Sequence, residues 1–153
     1  MLKFVSYGLL FFITFLLDRV TKYLVVSQIM QNQIVNNFFN IYLTFNRGIA
    51  WGIGSDMQDM YTIFLYIFIG LVLAYFIYYL TQIWDNKIIG TASILILSGG
   101  ISNFIDRVWY GSVIDFIQLH WVDWYFPIFN IADVSITIGA IIFIFGIFLY
   151  PEQ

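Results

Sequence analysis

Eight polar or charged residues that could do chemistry stand within or beside long apolar stretches of this sequence. They are Asp18, Lys22, Asn103, Asp106, Arg107, Asp115, Asn130 and Asp133. An ionisable side chain inside a membrane segment costs about 2.5–3.5 kcal/mol on insertion scales, so it usually marks a pairing or a function. These residues are therefore the candidates for a polar site.

Each of the four candidate groups has a structural interpretation beside the catalytic one. Asp18 and Lys22 lie four residues apart, so they can form an ion pair on one helix face. Asn103, Asp106 and Arg107 follow an i, i+3, i+4 spacing and could form a network that ties one helix end to its neighbours.

The third group, Asn130 and Asp133, could simply begin a helix, where the dipole favours a carboxylate. Asp115 could be a solvated loop carboxylate. The structural interpretation is weaker for the two aspartates, because Asp115 follows Val-Ile and precedes Phe-Ile, and Asp133 follows the apolar segment 126–129.

Two carboxylates suit the available residue types best. The chain has no cysteine and one histidine, His120, which leaves little for thiol chemistry or a zinc site. A serine–lysine peptidase could use Lys22, but the serines carry no nucleophile signature. Two close carboxyls separate their protonation steps and share one proton, so one can activate water while the other protonates the substrate. We predict Asp115 and Asp133 as this pair, with no metal and no cofactor.

Composition places the site in a membrane protein. Of 153 residues, 61% are hydrophobic and only 10% are charged, whereas soluble domains carry about 25% charged residues. The net charge is −3 and no basic run occurs, so nucleic acid is not an expected partner.

The spacing of charges predicts an all-α membrane protein with four transmembrane helices and one domain, residues 1–153. The apolar segments are residues 4–17 continued by 20–26, then 60–84, 88–105 and 128–150. Between the first two, residues 33–51 alternate apolar and polar side chains, which predicts a small β-element in the first outer connection.

Four spans put both termini on one side of the bilayer. Lys3 and Lys87 balance Arg47 and Arg107 in a count of positive charges. We favour cytoplasmic termini, because Arg47 and Arg107 lie beside polar clusters and could be held there by function rather than by the positive-inside rule. The candidate residues then converge on one depth near the outer face. The first segment lacks a small-x-small cleavage site, so we expect it to be a retained helix rather than a signal peptide.

Four motifs in chain order resemble the bacterial lipoprotein signal peptidase (signal peptidase II) family. The matching segments are 18–22 (DRVTK), 46–51 (NRGIAW), 99–116 (GGISNFIDRVWYGSVIDF) and 129–133 (FNIAD). Each motif alone is weak evidence, but together they cover nearly the whole chain. Arg19 departs from the glutamine that many relatives have at this position.

The resemblance implies a membrane aspartic peptidase that removes the signal peptide from prolipoproteins, cutting before a cysteine that carries diacylglyceryl. It maps the catalytic residues onto Asp115 and Asp133. It also implies that supporting or substrate-contacting residues are Asp18, Lys22, Asn46, Gly48, Asn103, Asp106, Arg107 and Asn130.

Further expectations follow from the same resemblance. The enzyme would lie in the bacterial cytoplasmic membrane among its lipids, and globomycin-type cyclic peptides would inhibit it. A monomer is expected, because no large soluble surface indicates an obligate partner.

A small proton-coupled four-helix transporter is the main alternative function. It would need a carboxylate near the midplane and polar residues towards both faces, whereas the second apolar segment is uncharged and the polar groups gather on one side. A structural membrane subunit would explain the hydrophobicity but not the convergent aspartates and asparagines. A presenilin-like protease is disfavoured because no G-x-G-D sequence occurs.

Overall fold

The computed structural model of the chain describes residues 2–27, 33–48, 59–82 and 86–149. It contains four helices: α1 (Leu2–Val26), α2 (Asp59–Gln82), α3 (Lys87–Tyr110) and α4 (Ile131–Leu149). The four strands are β1 (Gln33–Asn36), β2 (Phe39–Asn46), β3 (Val113–Trp121) and β4 (Trp124–Tyr125).

Three of the described helices have the length and hydropathy needed to cross a bilayer. They span Ile63–Gln82, Lys87–Tyr110 and Ile131–Leu149. Helix α1 is not among them, and its 25 residues include Asp18, Arg19 and Lys22. The four predicted helices are therefore present, while their count as four membrane spans stays a prediction.

Helix α3 is the centre of the helical part, since it packs against α1, α2 and α4. Its contact with α4 is close because glycines stand where the two backbones meet. A Cβ atom at Gly99 would lie 2.4 Å from the carbonyl oxygen of Ala132, and one at Gly139 would lie 2.8 Å from that of Ala92. Small residues at such crossings allow membrane helices to approach closely.

The ends of α3 and α4 differ from the predicted segments. Asn86 caps the start of α3 by accepting hydrogen bonds from Ile88 N and Ile89 N, and Gly111 ends it at φ 67°. Helix α3 thus extends five residues beyond the predicted limit of 105. Helix α4 starts three residues later than predicted, because Phe129 forms an antiparallel bridge with Ile117 instead.

The strands form one antiparallel sheet in the order β1-β2-β3-β4. The predicted β-element in the first outer connection is confirmed for β1 and β2. Its restriction to that connection is wrong, because β3 and β4 come from the connection between α3 and α4. Asp115 accordingly lies in the nine-residue strand β3, opposite Thr44 of β2, and not in a short loop.

Three tryptophans lie at or near the ends of described elements. Trp109 is the penultimate residue of α3, and Trp121 and Trp124 flank the turn between β3 and β4; all three are exposed. Trp51 and Trp84 lie outside the described residues. Exposed aromatic side chains at the ends of such elements are typical of the membrane–water interface.

We expect Gly99→Ala to destabilise the protein by about 1–3 kcal/mol, the usual cost of overpacking. The added methyl group would meet a backbone carbonyl of α4 that cannot rotate away. Thermal unfolding in detergent measures the effect. Gly70→Ala in α2 is the matched control, because no atom lies within 4 Å of a Cβ built there. Equal melting temperatures for the two variants would contradict the close approach of α3 and α4.

Candidate active site

The ammonium group of Lys22 is the centre of a buried network between α1 and α3. Its Nζ atom lies 2.7 Å from Asp18 Oδ2, 2.7 Å from Asp106 Oδ2 and 2.8 Å from Asn103 Oδ1. A lysine has three N–H donors, so each donor has its own acceptor. Lys22 is only 1% exposed, and a buried ion requires compensation of this kind.

Two residues that sequence reasoning missed extend this network. Arg19 forms an ion pair with Asp106 Oδ1, and Ser102 Oγ donates to Asp18 Oδ2 at 2.6 Å. The cost of a charge in an apolar segment could have identified Arg19 in the same way as Asp18. The sequence offers no comparable signal for Ser102, because serine is common in helices.

Asp18 also fixes the start of α4. Its Oδ1 atom accepts a hydrogen bond of 2.8 Å from the backbone N–H of Ala132. One carboxylate of α1 therefore contacts Lys22 on its own helix, Ser102 on α3 and the first turn of α4. This contact holds the residue immediately before Asp133.

The side-chain amide of Asn103 connects Lys22 to Asp133 through hydrogen bonds. Its Oδ1 atom accepts from Lys22 Nζ at 2.8 Å and from Asn130 Nδ2 at 3.1 Å. Since two donors occupy the oxygen, the amide nitrogen must face the other way. That nitrogen donates to Asp133 Oδ1 at 2.8 Å.

Asn130 connects the two predicted catalytic aspartates. Its Nδ2 atom donates to Asp115 Oδ1 at 2.7 Å, and its backbone N–H donates to Asp133 Oδ2 at 3.1 Å. Asn130 Oδ1 in turn accepts from the backbone N–H of Asp133 at 2.9 Å. This reciprocal arrangement is a helix cap, so the structural interpretation of Asn130 and Asp133 also holds.

Strand β3 places Asp115 beside this cap. Its carboxyl is 2% exposed and accepts a second hydrogen bond, at Oδ2, from Asn46 Nδ2 at 2.9 Å. The pKa of Asp115 is raised from 3.8 to about 7, first by burial and second by the charge of Asp133. The hydrogen bonds from Asn46 and Asn130 oppose this rise, because they stabilise the carboxylate.

Asn46, the last residue of β2, and Gly48, two residues after it, contribute to the site. Asn46 Oδ1 accepts from the backbone N–H of Gly48 at 2.9 Å, which turns the amide nitrogen towards Asp115. The carbonyl of Gly48 accepts a hydrogen bond from the guanidinium of Arg107, which is 7% exposed. The remaining residues of this predicted motif, 49–51, lie outside the described residues.

A cavity of about 180 Å³ brings the predicted site residues together. Asp115 and Asp133 line the same cavity with Asn46, Asn103 and Arg107. Asp18, Lys22 and Asp106 form the ion-pair network next to these residues. Its apolar wall comes from Ile69, Phe104, Val113 and Ile136. In the part of the chain that the structure describes, no three His, Asp or Glu side chains are grouped so that they could hold a metal ion.

Known proteins are similar to this chain in both sequence and fold. The family model of signal peptidase (SPase) II matches residues 10–149. The chain belongs to the signal peptidase II family. A lipoprotein signal peptidase of Bacillus pumilus is 38% identical over 141 residues, which cover 89% of this chain and 88% of that one. The corresponding protein of Polynucleobacter necessarius is 36% identical, over 95% of this chain and 90% of that one.

A solved structure supports the same assignment. It is a bacterial membrane enzyme determined by the in meso method at 2.3 Å resolution, with a TM-score of 0.80 and 32% identity. The match covers 97% of this chain and 93% of that one. The resemblance read from the motifs is thus confirmed: this is a signal peptidase II family member, a protease family of the bacterial membrane.

We expect Lys22→Met to destabilise this signal peptidase II family member by about 3–5 kcal/mol, because Asp18 and Asp106 would remain buried without their shared cation. Chemical unfolding in detergent measures the loss. The control is Lys87→Met at the exposed start of α3, which should leave the stability unchanged within about 0.5 kcal/mol. A Lys22→Met protein as stable as the control would show that the network does not hold α1 to α3.

Proposed function

We propose that this protein is an aspartic endopeptidase that removes the signal peptide from diacylglyceryl-modified prolipoproteins, cutting before the lipidated cysteine. The observation that carries this proposal is the pair Asp115 and Asp133, which line one cavity and bind the same residue, Asn130. The relatives are lipoprotein signal peptidases, which supports the substrate class.

The charge balance of the site supports a single shared proton. Four carboxyls, those of Asp18, Asp106, Asp115 and Asp133, stand with three cations, Arg19, Lys22 and Arg107. With all groups ionised the site would hold one uncompensated negative charge in a buried environment. One proton on the aspartate pair removes that charge, so the singly protonated pair is the favoured state.

The proposed reaction needs no covalent intermediate. The ionised carboxyl takes a proton from water as the water attacks the scissile carbonyl carbon, while the protonated carboxyl donates its proton to the carbonyl oxygen. Collapse of the resulting diol breaks the C–N bond, and the carboxyl that accepted the proton from water gives it to the leaving amine. The other carboxyl takes a proton back from a diol hydroxyl as the carbonyl re-forms, which restores the singly protonated pair. The proton belongs to the pair, so neither aspartate is assigned a fixed role.

Polar groups around the pair are suited to binding a peptide main chain. Arg107 Nε has no hydrogen-bond partner among the described residues, which leaves a buried donor on a residue that lines the cavity. Asn46 and Asn103 contribute amides to the same wall. We propose that these three side chains contact substrate, while Asp18, Lys22, Gly48, Asp106 and Asn130 hold the site in place.

The proposal includes a membrane topology. We propose four spans with both termini in the cytoplasm, so that the sheet and the aspartate pair lie near the outer face of the cytoplasmic membrane. Substrate then arrives laterally through the lipid and water enters from outside. We also propose that the enzyme is a monomer and that globomycin-type peptides block the cavity.

We expect Asp115→Asn and Asp133→Asn each to lower cleavage at least about 1,000-fold, because an amide can neither accept the proton from water nor share one with its partner. The measurement is the mobility shift of a diacylglyceryl-modified prolipoprotein incubated with purified enzyme. Asp123→Asn, in the exposed turn between β3 and β4, is the matched control and should cleave normally. Full processing by either site variant would remove that residue from the mechanism.

The pH dependence of cleavage tests the shared proton. Since the pKa of Asp115 is about 7, we expect kcat/KM to fall above about pH 7, where the pair loses its last proton. Asn46→Ala removes a hydrogen bond that stabilises the carboxylate, so the pKa rises and this limb should move to higher pH by about 1 unit, or ~1.4 kcal/mol.

The control for this experiment is Asn40→Ala, on the same strand. The side chain of Asn40 forms hydrogen bonds with Gln118 and His120 and does not contact Asp115. Its pH profile should match that of the unmodified enzyme. If Asn46→Ala lowers the rate equally at every pH, the hydrogen bond to Asp115 has no effect on the titration of the pair.

A further inference from the structure

A second cavity borders on Asp133. It has a volume of about 310 Å³ and is lined by Asp133 together with six residues from β3, the segment before α4, and α4 itself. We call these six the α4 groove: Leu119, Phe126, Phe129, Val134, Thr137 and Ile138. Asp133 is the residue that both cavities share.

The two cavities have opposite chemistry. The catalytic cavity presents amides, a guanidinium group and carboxyls, which match the hydrogen-bonding groups of a peptide main chain. The α4 groove presents almost only carbon, and both oxygens of Asp133 already accept hydrogen bonds from Asn103 and Asn130. A polar segment placed in the α4 groove would therefore leave its own donors and acceptors without partners.

We propose that the α4 groove holds one acyl chain of the lipid on the substrate cysteine. This assignment rests on the proposed peptidase function. The lipidated cysteine follows the scissile bond directly, so its chains begin within one residue of the atoms on which Asp133 acts. An apolar groove that touches Asp133 is thus in the correct place for hydrocarbon on the leaving side of the bond.

The volume of the groove limits what it accommodates. Pockets for small ligands usually measure about 300–1,000 Å³, so the α4 groove is at the lower end of this range. It suits part of one chain rather than two. The second chain would remain in the surrounding lipid, next to half-exposed Ile138.

The groove contributes to positioning rather than to hydrophobic affinity. An acyl chain is surrounded by hydrocarbon both before and after it binds, so no apolar surface leaves water. What the groove provides is space beside the scissile bond at a fixed orientation. Blocking that space should therefore impair binding of the lipidated substrate by steric conflict.

Photochemical labelling tests where the chain lies. A prolipoprotein whose diacylglyceryl group carries a diazirine in one acyl chain is bound to the Asp115→Asn protein, irradiated and mapped by mass spectrometry. We expect label on the segments 126–129 and 134–138, suppressed by excess unlabelled substrate. A phospholipid with the same diazirine chain is the second arm.

The labelling outcomes distinguish the groove assignment from the proposed peptidase function. Label confined to α2 or to Phe104 would overturn the groove assignment, and so would phospholipid labelling of the groove that unlabelled substrate does not displace. Cleavage of the diazirine substrate by the unmodified enzyme is measured first. Its failure would contradict the proposed function itself, whereas cleavage with label elsewhere contradicts only the groove.

A matched pair of tryptophan variants tests the same space by kinetics. Ile138 and Ile141 are both about half exposed on α4, at 47% and 51%, but only Ile138 lines the groove. We expect Ile138→Trp to raise KM for the diacylglyceryl substrate about tenfold with little change in kcat, as overpacking would do. Ile141→Trp should stay within about twofold of the unmodified enzyme.

Equal KM values for the two variants would overturn the proposal. If Ile138→Trp unfolds, as judged by thermal unfolding in detergent, Thr137→Leu fills the same groove with a smaller side chain. The same rise in KM is then expected for Thr137→Leu. An unchanged KM would again overturn the assignment.

Discussion

The structure depends on one buried cation whose three donors are all used. Lys22 Nζ contacts Asp18, Asp106 and Asn103 within 2.8 Å. Each of these three side chains also makes a hydrogen bond to a different part of the molecule. Asp18 holds the first turn of α4, Asp106 accepts from the backbone of β3 at Ile114 N, and Asn103 orients Asp133. The positions of two helices and one strand therefore depend on the contacts of a single nitrogen atom, Lys22 Nζ.

This arrangement explains how Asp18, Arg19 and Lys22 stand close together within the apolar helix α1. The desolvation penalty of each ion is offset only if every partner is in place, because an unpaired ion in a low-dielectric interior costs several kcal/mol. Removing one member therefore affects all the others. The network is also directional, since the donors of Lys22 and the two amides allow only one orientation of each asparagine. In that orientation Asn103 points an N–H at the carboxyl of Asp133, and Asn130 points one at the carboxyl of Asp115.

Sequence reasoning predicted the helices and the aspartate pair, because both depend on local rules. Apolar length predicts a helix, and the cost of a buried charge identifies Asp18, Asp115 and Asp133. It did not predict the strand that contains Asp115, because that strand is stabilised by pairing with β2, more than sixty residues earlier. Ser102 was missed for a related reason: its hydrogen bond to Asp18 joins two helices that are distant in sequence.

The structural and catalytic interpretations of Asp133 are two descriptions of one geometry. As the third residue after its cap, Asp133 accepts a hydrogen bond from the backbone N–H of Asn130, which is an ordinary helix start. The same Asn130 uses its side chain to donate to Asp115 on the neighbouring strand. A helix cap fixes a carboxyl with little freedom at χ1 and χ2, and a strand held against that cap brings the second carboxyl to the same cavity. The stability of the helix start and the spacing of the pair are thus maintained by the same residue, so a change that loosens one must loosen the other.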